Sequence, residues 1–271
     1  MTGALKFGFG AVVLLYVAYV VAMIWLHPKF IYPFSQTAFS YTEYQRVEVP
    51  VAGDAPVEVR VFQGASGAPV MVYFMGNVGA LESFAAMLEH HRMAGRTVVA
   101  MAYRGGGGIE GTPSERQLKR DADAVMDALP GLIPADAGPV IVQGYSLGTG
   151  LALHVGARPE VSGILLVAPY ARLCELMARA AYVPACWLPG VQKWPSIDVL
   201  DGIRVPVRIL HGDKDRLIPP EQSFRLGEAI AAQGARVTRL EIPDGGHNDL
   251  LRRPKYLPAI DRFVARIAGE G

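Results

Sequence analysis

The chain has 271 residues, 51% of them hydrophobic, which suits one sizeable α/β domain better than two small ones. Lys plus Arg number 26 against 25 for Asp plus Glu, so there is neither a basic field for nucleic acid nor an acidic tail. Nucleic acid is therefore not expected as a partner.

The chain opens on "FGFGAVVLLYVAYVVAMIWL", residues 7–26, without a charged side chain. Twenty residues at a helical rise of 1.5 Å reach about 30 Å, the thickness of a bilayer's hydrocarbon core. Lys6 and Lys29 bracket the run, and Trp25, Phe30 and Tyr32 suit the headgroup level. The expectation is one N-terminal transmembrane helix anchoring the protein, residues 1–29. A cleaved signal ending at Ala22 is the rival, but the apolar run is long for one and continues past that point. A buried core helix is a third reading. Lys6 on one side and Lys29 with Arg46 on the other do not set the orientation. Residues 30–44, polar and aromatic without helical period, read as a linker to a domain covering 45–271.

That domain begins with short β-rich runs, "QRVEVPV" and "VEVRVFQ", which suit an antiparallel entry. From residue 69 the pattern changes to continuous apolar runs: "PVMVYFM", "TVVAMAY", "PVIVQGY", "SGILLVAP", "VPVRILHG" and "RVTRLEI". Helical segments at 79–93, 114–129, 147–157, 220–233 and 255–268 alternate with them. Such alternation predicts an α/β fold with a mostly parallel central sheet and helices on both faces. The stretch at about 170–203 interrupts the alternation and reads as a short cap. Cys174 and Cys186 within it have neither CxxC spacing nor a histidine cluster, which argues against zinc. They pair if the domain lies outside the cytoplasm, or stay as two free apolar thiols if it lies inside.

In an open parallel sheet, ligands bind beyond the carboxyl ends of the strands. After "PVIVQ" comes Gly144-Tyr145-Ser146-Leu147-Gly148, a G-x-S-x-G with a strand before it and a small-residue helix after it. This is the context of a nucleophile elbow, in which Gly144 and Gly148 let the turn tighten and lift Ser146 Oγ to the sheet edge. A serine hydroxyl needs a base, and the base an orienting acid. Downstream, His247 lies in the flexible loop "PDGGHNDL", whereas His211 ends a strand and reads as structural. For the acid, "HGDKDRLIPP" offers Asp215, with Asp213 read as a turn residue. The oxyanion hole would combine the Leu147 N–H with Asn77, Gly76 allowing close approach.

These motifs, with "YFMGNVGALESFA", "AYRGGGGIEGTPSERQLKRDADAVMDAL", "RVPVRILHGDKDRLIPPEQSFRL" and "IPDGGHNDL", occur in an order that resembles the α/β-hydrolase superfamily. Within it the chain resembles membrane-anchored serine hydrolases related to lysophospholipid lipases, monoacylglycerol lipases and protein depalmitoylases. The resemblance runs from about residue 45 to the end. It implies the α/β-hydrolase fold and a triad of Ser146, Asp215 and His247 that needs no cofactor or metal. It also implies cleavage of esters or thioesters in acyl or lipid-like substrates. A peptidase on the same triad and a non-catalytic, membrane-tethered binding protein are the alternatives. Oligomeric state is not legible. Two positions depart from the family pattern: Met75 stands where a histidine is usual, and Gly106 where a bulky residue is usual. The expectation is an oxyanion loop held differently, with open space beside the site.

The remaining features read as structural. "YRGGGG" and "GNVGA" lack nucleotide-loop spacing. His90 and His91 close a helix as surface residues, and His154 is packed or solvent-facing. Arg116, Lys119 and Arg120 with Glu115, Asp121 and Asp123 read as a solvated helix face. Met87, Met93, Met101 and Met177 read as core or cap packing.

Overall fold

Every apolar run identified above from residue 69 onward becomes a strand, and with the two entry strands they form one eight-stranded sheet. The computed structural model describes residues 2–269, with side chains from residue 8 onward. In chain order the elements are α1 (Thr2–Ile31), β1 (Gln45–Val51), β2 (Asp54–Phe62), β3 (Val70–Phe74), α2 (Ala85–Met93), β4 (Thr97–Met101), α3 (Glu115–Leu132), β5 (Val140–Tyr145), α4 (Gly148–Val155), β6 (Val161–Val167), α5 (Leu173–Ala181), β7 (Val207–Gly212), α6 (Pro220–Ala232), β8 (Val237–Ile242) and α7 (Tyr256–Ala268). The sheet order is β1-β2-β4-β3-β5-β6-β7-β8. β1 and β2 enter antiparallel, and the strands from β4 to β8 run parallel. Every residue of β3 and β4 is buried, as covering a parallel sheet on both faces requires. β8 lies at the edge and alternates between half-exposed and exposed residues until Ile242.

The helices follow their sequence signals closely. α3 starts where Ser114 Oγ accepts the Gln117 N–H and buries Leu118, Ala122, Val125, Met126 and Leu129 as one stripe. The helix expected from residue 79 begins regular α geometry only at Ala85, after a single 3-10 turn at Leu81–Phe84. Gly79 at φ +66° turns the chain first.

α1 holds the one described span long and apolar enough to cross a membrane, Gly8–Ile31, and its outer side chains are exposed. Lys6, expected to bracket it, lies outside the described side chains. Residues 30–44 are not a free linker. α1 continues to Ile31, and Ile31, Tyr32 and Tyr44 are buried in the main core. The end of α1 is tied down as well. The Gln192 N–H donates to His27 Nε2 at 3.0 Å, and Trp194 Nε1–H donates to the Tyr32 hydroxyl at 3.1 Å. Apolar burial of the aromatic side chains outweighs the polar composition that suggested a linker.

Two other surface readings are corrected. His91 is fully buried: its Nε2–H donates to Gln143 Oε1 at 2.7 Å, and Arg96 donates to its Nδ1 at 2.9 Å. Burial, aided by the Arg96 charge, lowers its pKa to about 3, so the ring stays neutral. Asp121 is also fully buried, under Arg104, so α3 presents a salt bridge inward where a solvated face was expected. The neighbouring His90 and His154 are half-buried and face Asp261 and Asp123, at 2.8 and 2.9 Å.

The cap consists of α5 and an irregular return, joined by a disulfide between Cys174 and Cys186. Glu175 of α5 accepts from Arg225 of α6 at 2.8 and 3.1 Å and from Arg172 at 3.2 Å. These bonds, Arg225 first, overcome partial burial and hold its pKa at about 2 against an ordinary 4.5. A carboxylate depressed in this way stabilises the native state above pH 4.5 and loses that contribution as pH falls toward 2. The protection factors of the α5 amides, taken relative to intrinsic exchange at each pH, are expected to fall over pH 4 to 2 in the wild type. In Glu175→Gln they should already be low at pH 5, which pH-jump exchange with mass spectrometry checks.

Candidate active site

β5 and α4 meet at a turn too tight for side chains at its two ends. A Cβ on Gly144 would lie 2.5 Å from the Gly148 carbonyl oxygen, and one on Gly148 2.1 Å from that of Phe74. Between them Ser146 adopts φ +49°, a left-handed conformation that a non-glycine residue holds only when its surroundings impose it. Its N–H is fixed by the Val167 carbonyl at 2.8 Å. Leu147 is the N-cap residue of α4, where N–H groups lack intrahelical acceptors.

His247 arrives from the loop after β8. Asp249 Oδ1 accepts the Gly246 N–H at 2.7 Å, and the Tyr145 hydroxyl donates to the His247 carbonyl, so both ends of the turn are tethered. The loop packs against the end of β7 because Gly212 has no Cβ: one there would stand 2.2 Å from the Gly245 oxygen. His247 Nδ1–H donates to Asp215 Oδ2 at 2.7 Å, leaving Nε2 to accept the Ser146 hydroxyl at 2.9 Å. All three side chains are buried.

Asp215 is over-determined in its position. Its Oδ1 accepts the N–H groups of Leu217 and Ile218 at 2.9 and 2.8 Å. His211 Nε2, which donates to the Ile218 carbonyl at 2.9 Å, stands 3.3 Å from Oδ2. Burial opposes the carboxylate charge, but the His211 N–H, shared with the Ile218 carbonyl, and the hydrogen bonds from His247 and the Ile218 N–H outweigh it and hold the group well below the usual carboxylate range. Asp213 is exposed and remains outside this cluster.

Asn77, Ser146 and Leu147 line one cavity of about 280 Å³, whose other walls are largely apolar. Met75, in place of an imidazole, is fully buried, and its carbonyl accepts the Tyr103 hydroxyl at 2.8 Å. The strap after α1 completes the support. The Ser35 N–H donates to the Val78 carbonyl, and the Gly107 N–H to that of Ser35, both at 2.7 Å. Gly106 opens no space beside the site, because a Cβ there would lie 2.1 Å from the Gly79 oxygen and 3.2 Å from the Phe34 ring. The backbone and Phe34 occupy the volume that a bulky side chain would need.

Sequence reasoning missed Tyr145, Asp249 and the His211 contact, and also Phe30 and Ile31, which place the end of α1 on the wall of the cavity holding Ser146. Tyr145, as the second residue of the G-x-S-x-G, carried a positional signal. The Asp249–Gly246 and His211–Asp215 contacts are local, three and four residues apart, but lie in loops with no periodic pattern, and those of Phe30 and Ile31 join elements far apart in the chain.

A largely parallel eight-stranded sheet with a strained serine at the β5–α4 turn defines the class: doubly wound hydrolase-like α/β architecture. No protein-family model matches the chain. An uncharacterised protein of Mycobacterium tuberculosis is 31% identical over 211 residues, 76% of this chain and 72% of its own. The α/β-hydrolase domain-containing protein 17B of Xenopus laevis is 31% identical over 165 residues, 60% of this chain and 54% of that one. Among solved structures, an esterase of Pyrococcus furiosus superposes with a TM-score of 0.73 over 86% of this chain and 96% of its own, at 18% identity. The chain belongs to the α/β-hydrolase superfamily.

Proposed function

We propose that the protein is a membrane-anchored serine hydrolase that cleaves ester or thioester bonds of acyl substrates. The observation that carries this reading is the unbroken hydrogen-bonded series from Ser146 through His247 to Asp215, opening into an apolar cavity. His247, oriented by Asp215, takes the Ser146 proton as Oγ bonds to the substrate carbonyl carbon. The N–H groups of Leu147 and Asn77 stabilise the resulting oxyanion. As the tetrahedral intermediate collapses, the carbonyl–oxygen or carbonyl–sulfur bond breaks, and His247 returns its proton to the leaving alcohol or thiol. Water, deprotonated by His247, then attacks the acyl-enzyme and releases a carboxylic acid and free Ser146. No cofactor enters these steps. The likeness to an esterase in structure and to an α/β-hydrolase domain-containing protein in sequence supports the reaction class.

The anchor reading rests on the exposed apolar surface of α1. The bond between Cys174 and Cys186 favours a domain facing an oxidising compartment, since cytosolic thiols are kept reduced. Labelling by a fluorophosphonate probe tests both parts. The wild type is expected to label in the membrane fraction and Ser146→Ala not at all. Equal labelling of the two proteins sinks the mechanism, and labelling confined to the soluble fraction sinks the anchor.

A further inference from the structure

α1 and the cap lie side by side over half the length of the apolar span. The Tyr16 hydroxyl donates to the Tyr182 carbonyl at 3.0 Å and the Tyr19 hydroxyl to the Ala181 carbonyl at 2.8 Å. These two carbonyls lie at the C-terminal end of α5, where intrahelical donors run out. From Gly8 to Tyr16 the helix rises about 12 Å, well short of the roughly 30 Å of hydrocarbon that a spanning helix crosses. A bilayer crossed by this span therefore also surrounds its Tyr16–Trp25 portion and whatever is packed beside it.

What is packed beside it suits lipid. Residues 180–191 of the cap, "AAYVPACWLPGV", contain no charge and are flanked by Arg179 and Lys193. Tyr182 is 84% exposed and Trp187 88% exposed, in a loop that the Cys174–Cys186 bond closes back onto α5. Large aromatic side chains this exposed are out of place in water and at home in the interfacial and acyl regions of a bilayer. The Tyr16 and Tyr19 hydroxyls supply the internal partners that carbonyls need where no water reaches.

Between α1 and this loop lies an apolar cavity of about 350 Å³, walled by Met23 and Ile24 on one side and Val183 and Leu188 on the other. Phe30, Met177 and Ala180 line both this cavity and the one containing Ser146. We propose that cap loop 180–191 is immersed in the bilayer beside α1, and that the two adjoining cavities form a channel carrying a single lipid acyl chain from the hydrocarbon to Ser146. This deepens the esterase reading and rests on it for the chemistry at the channel's end. The substrate is then a membrane-resident acyl ester or thioester entering sideways, tail first in the bilayer and carbonyl at the serine.

The immersion is tested without catalysis. Of the three tryptophans, Trp25 and Trp194 are common to both proteins, so the emission difference between wild type and Trp187→Phe isolates Trp187. Full-length protein is reconstituted into phosphatidylcholine vesicles whose acyl chains are brominated at carbons 11 and 12. Trp187 emission is expected to be quenched by these chains and spared by aqueous iodide; quenching by iodide and not by bromolipid overturns the proposal. For the channel, Ala180→Phe narrows the shared wall at an exposed position that tolerates a larger side chain. The ratio of kcat/KM for dodecanoyl over butanoyl ester is expected to fall by about tenfold. An unchanged ratio overturns the channel, and absence of any ester turnover in wild type with lipid quenching intact refutes the esterase reading alone.

Discussion

Ser146→Ala is expected to lower kcat for a p-nitrophenyl acyl ester by about 10⁶-fold, and His247→Ala by a similar factor, with the double variant no worse than either alone. In the proposed mechanism the residues act as one proton-transfer unit, so removing either abolishes the same step. Asp215→Asn should cost about 10⁴-fold. The amide would still fill the position between the Leu217 and Ile218 N–H groups and His247, but it would not hold the imidazole in the tautomer that donates through Nδ1. Because the carboxyl is held well below the usual range, Asp215 stays ionised throughout the working pH of such an enzyme. It should therefore contribute no limb to the kcat/KM profile above pH 5. Steady-state kinetics over pH 5 to 9 on the wild type and the four variants check these outcomes; additive losses in the double variant would contradict a shared step.

The largest stability effect is expected at Asp121→Ala, a loss of about 3–5 kcal/mol. Arg104 Nε and Nη2 donate to the two Asp121 oxygens at 2.6 and 2.7 Å, and Nη2 also donates to the Ala55 carbonyl at 2.7 Å. Asp121 is fully buried and Arg104 nearly so, so deleting the carboxylate leaves the guanidinium in a poorly solvated place with only the partly exposed Asp54, 3.6 Å from Nη1, as counter-charge. For a domain of this size the melting temperature should drop by roughly 6–20 °C. Arg104→Met combined with Asp121→Leu should recover most of the loss, since replacing both charges with apolar groups removes the desolvation cost along with the attraction. Chemical denaturation with linear extrapolation distinguishes the cases. Arg104 immediately precedes Gly105–Gly108, the loop against which the strap and Gly79 pack, so the single variant should also lower ester turnover.

Much of the framework was legible in one dimension. The six apolar runs and the helical segments between them dictated a parallel sheet, because five of them, all but the edge strand β8, are buried on both faces and admit no polar alternation. The tight G-x-S-x-G between a strand and a helix marked Ser146, and chain order then directed attention to Asp215 and His247. Less legible were residues whose environment depends on contacts distant in sequence. His91 and Asp121 sit among polar neighbours, and nothing local separates them from a solvated helix face. Their burial follows from Gln143 on β5 and Arg104 after β4 packing above them. Gly106 looked like open space, and became filled space only when Gly79 and Phe34 arrived from elsewhere in the chain.

What the sequence determined by itself is therefore the periodic and local part: the strand and helix pattern, the apolar span, the elbow and the order of its candidate partners. These follow from side-chain alternation, turn chemistry and length, which act over a few residues. Only the tertiary structure decided that Cys174 meets Cys186, that His211 braces Asp215, and that the end of α1 lines the cavity at Ser146. The last depends on the separation in space of residues far apart along the chain, and the two nearer pairs, 12 and four residues apart, on loop conformations that their surroundings impose. That separation is set by how the whole sheet and its covering layers pack, a sum over many weak contacts that no local pattern encodes.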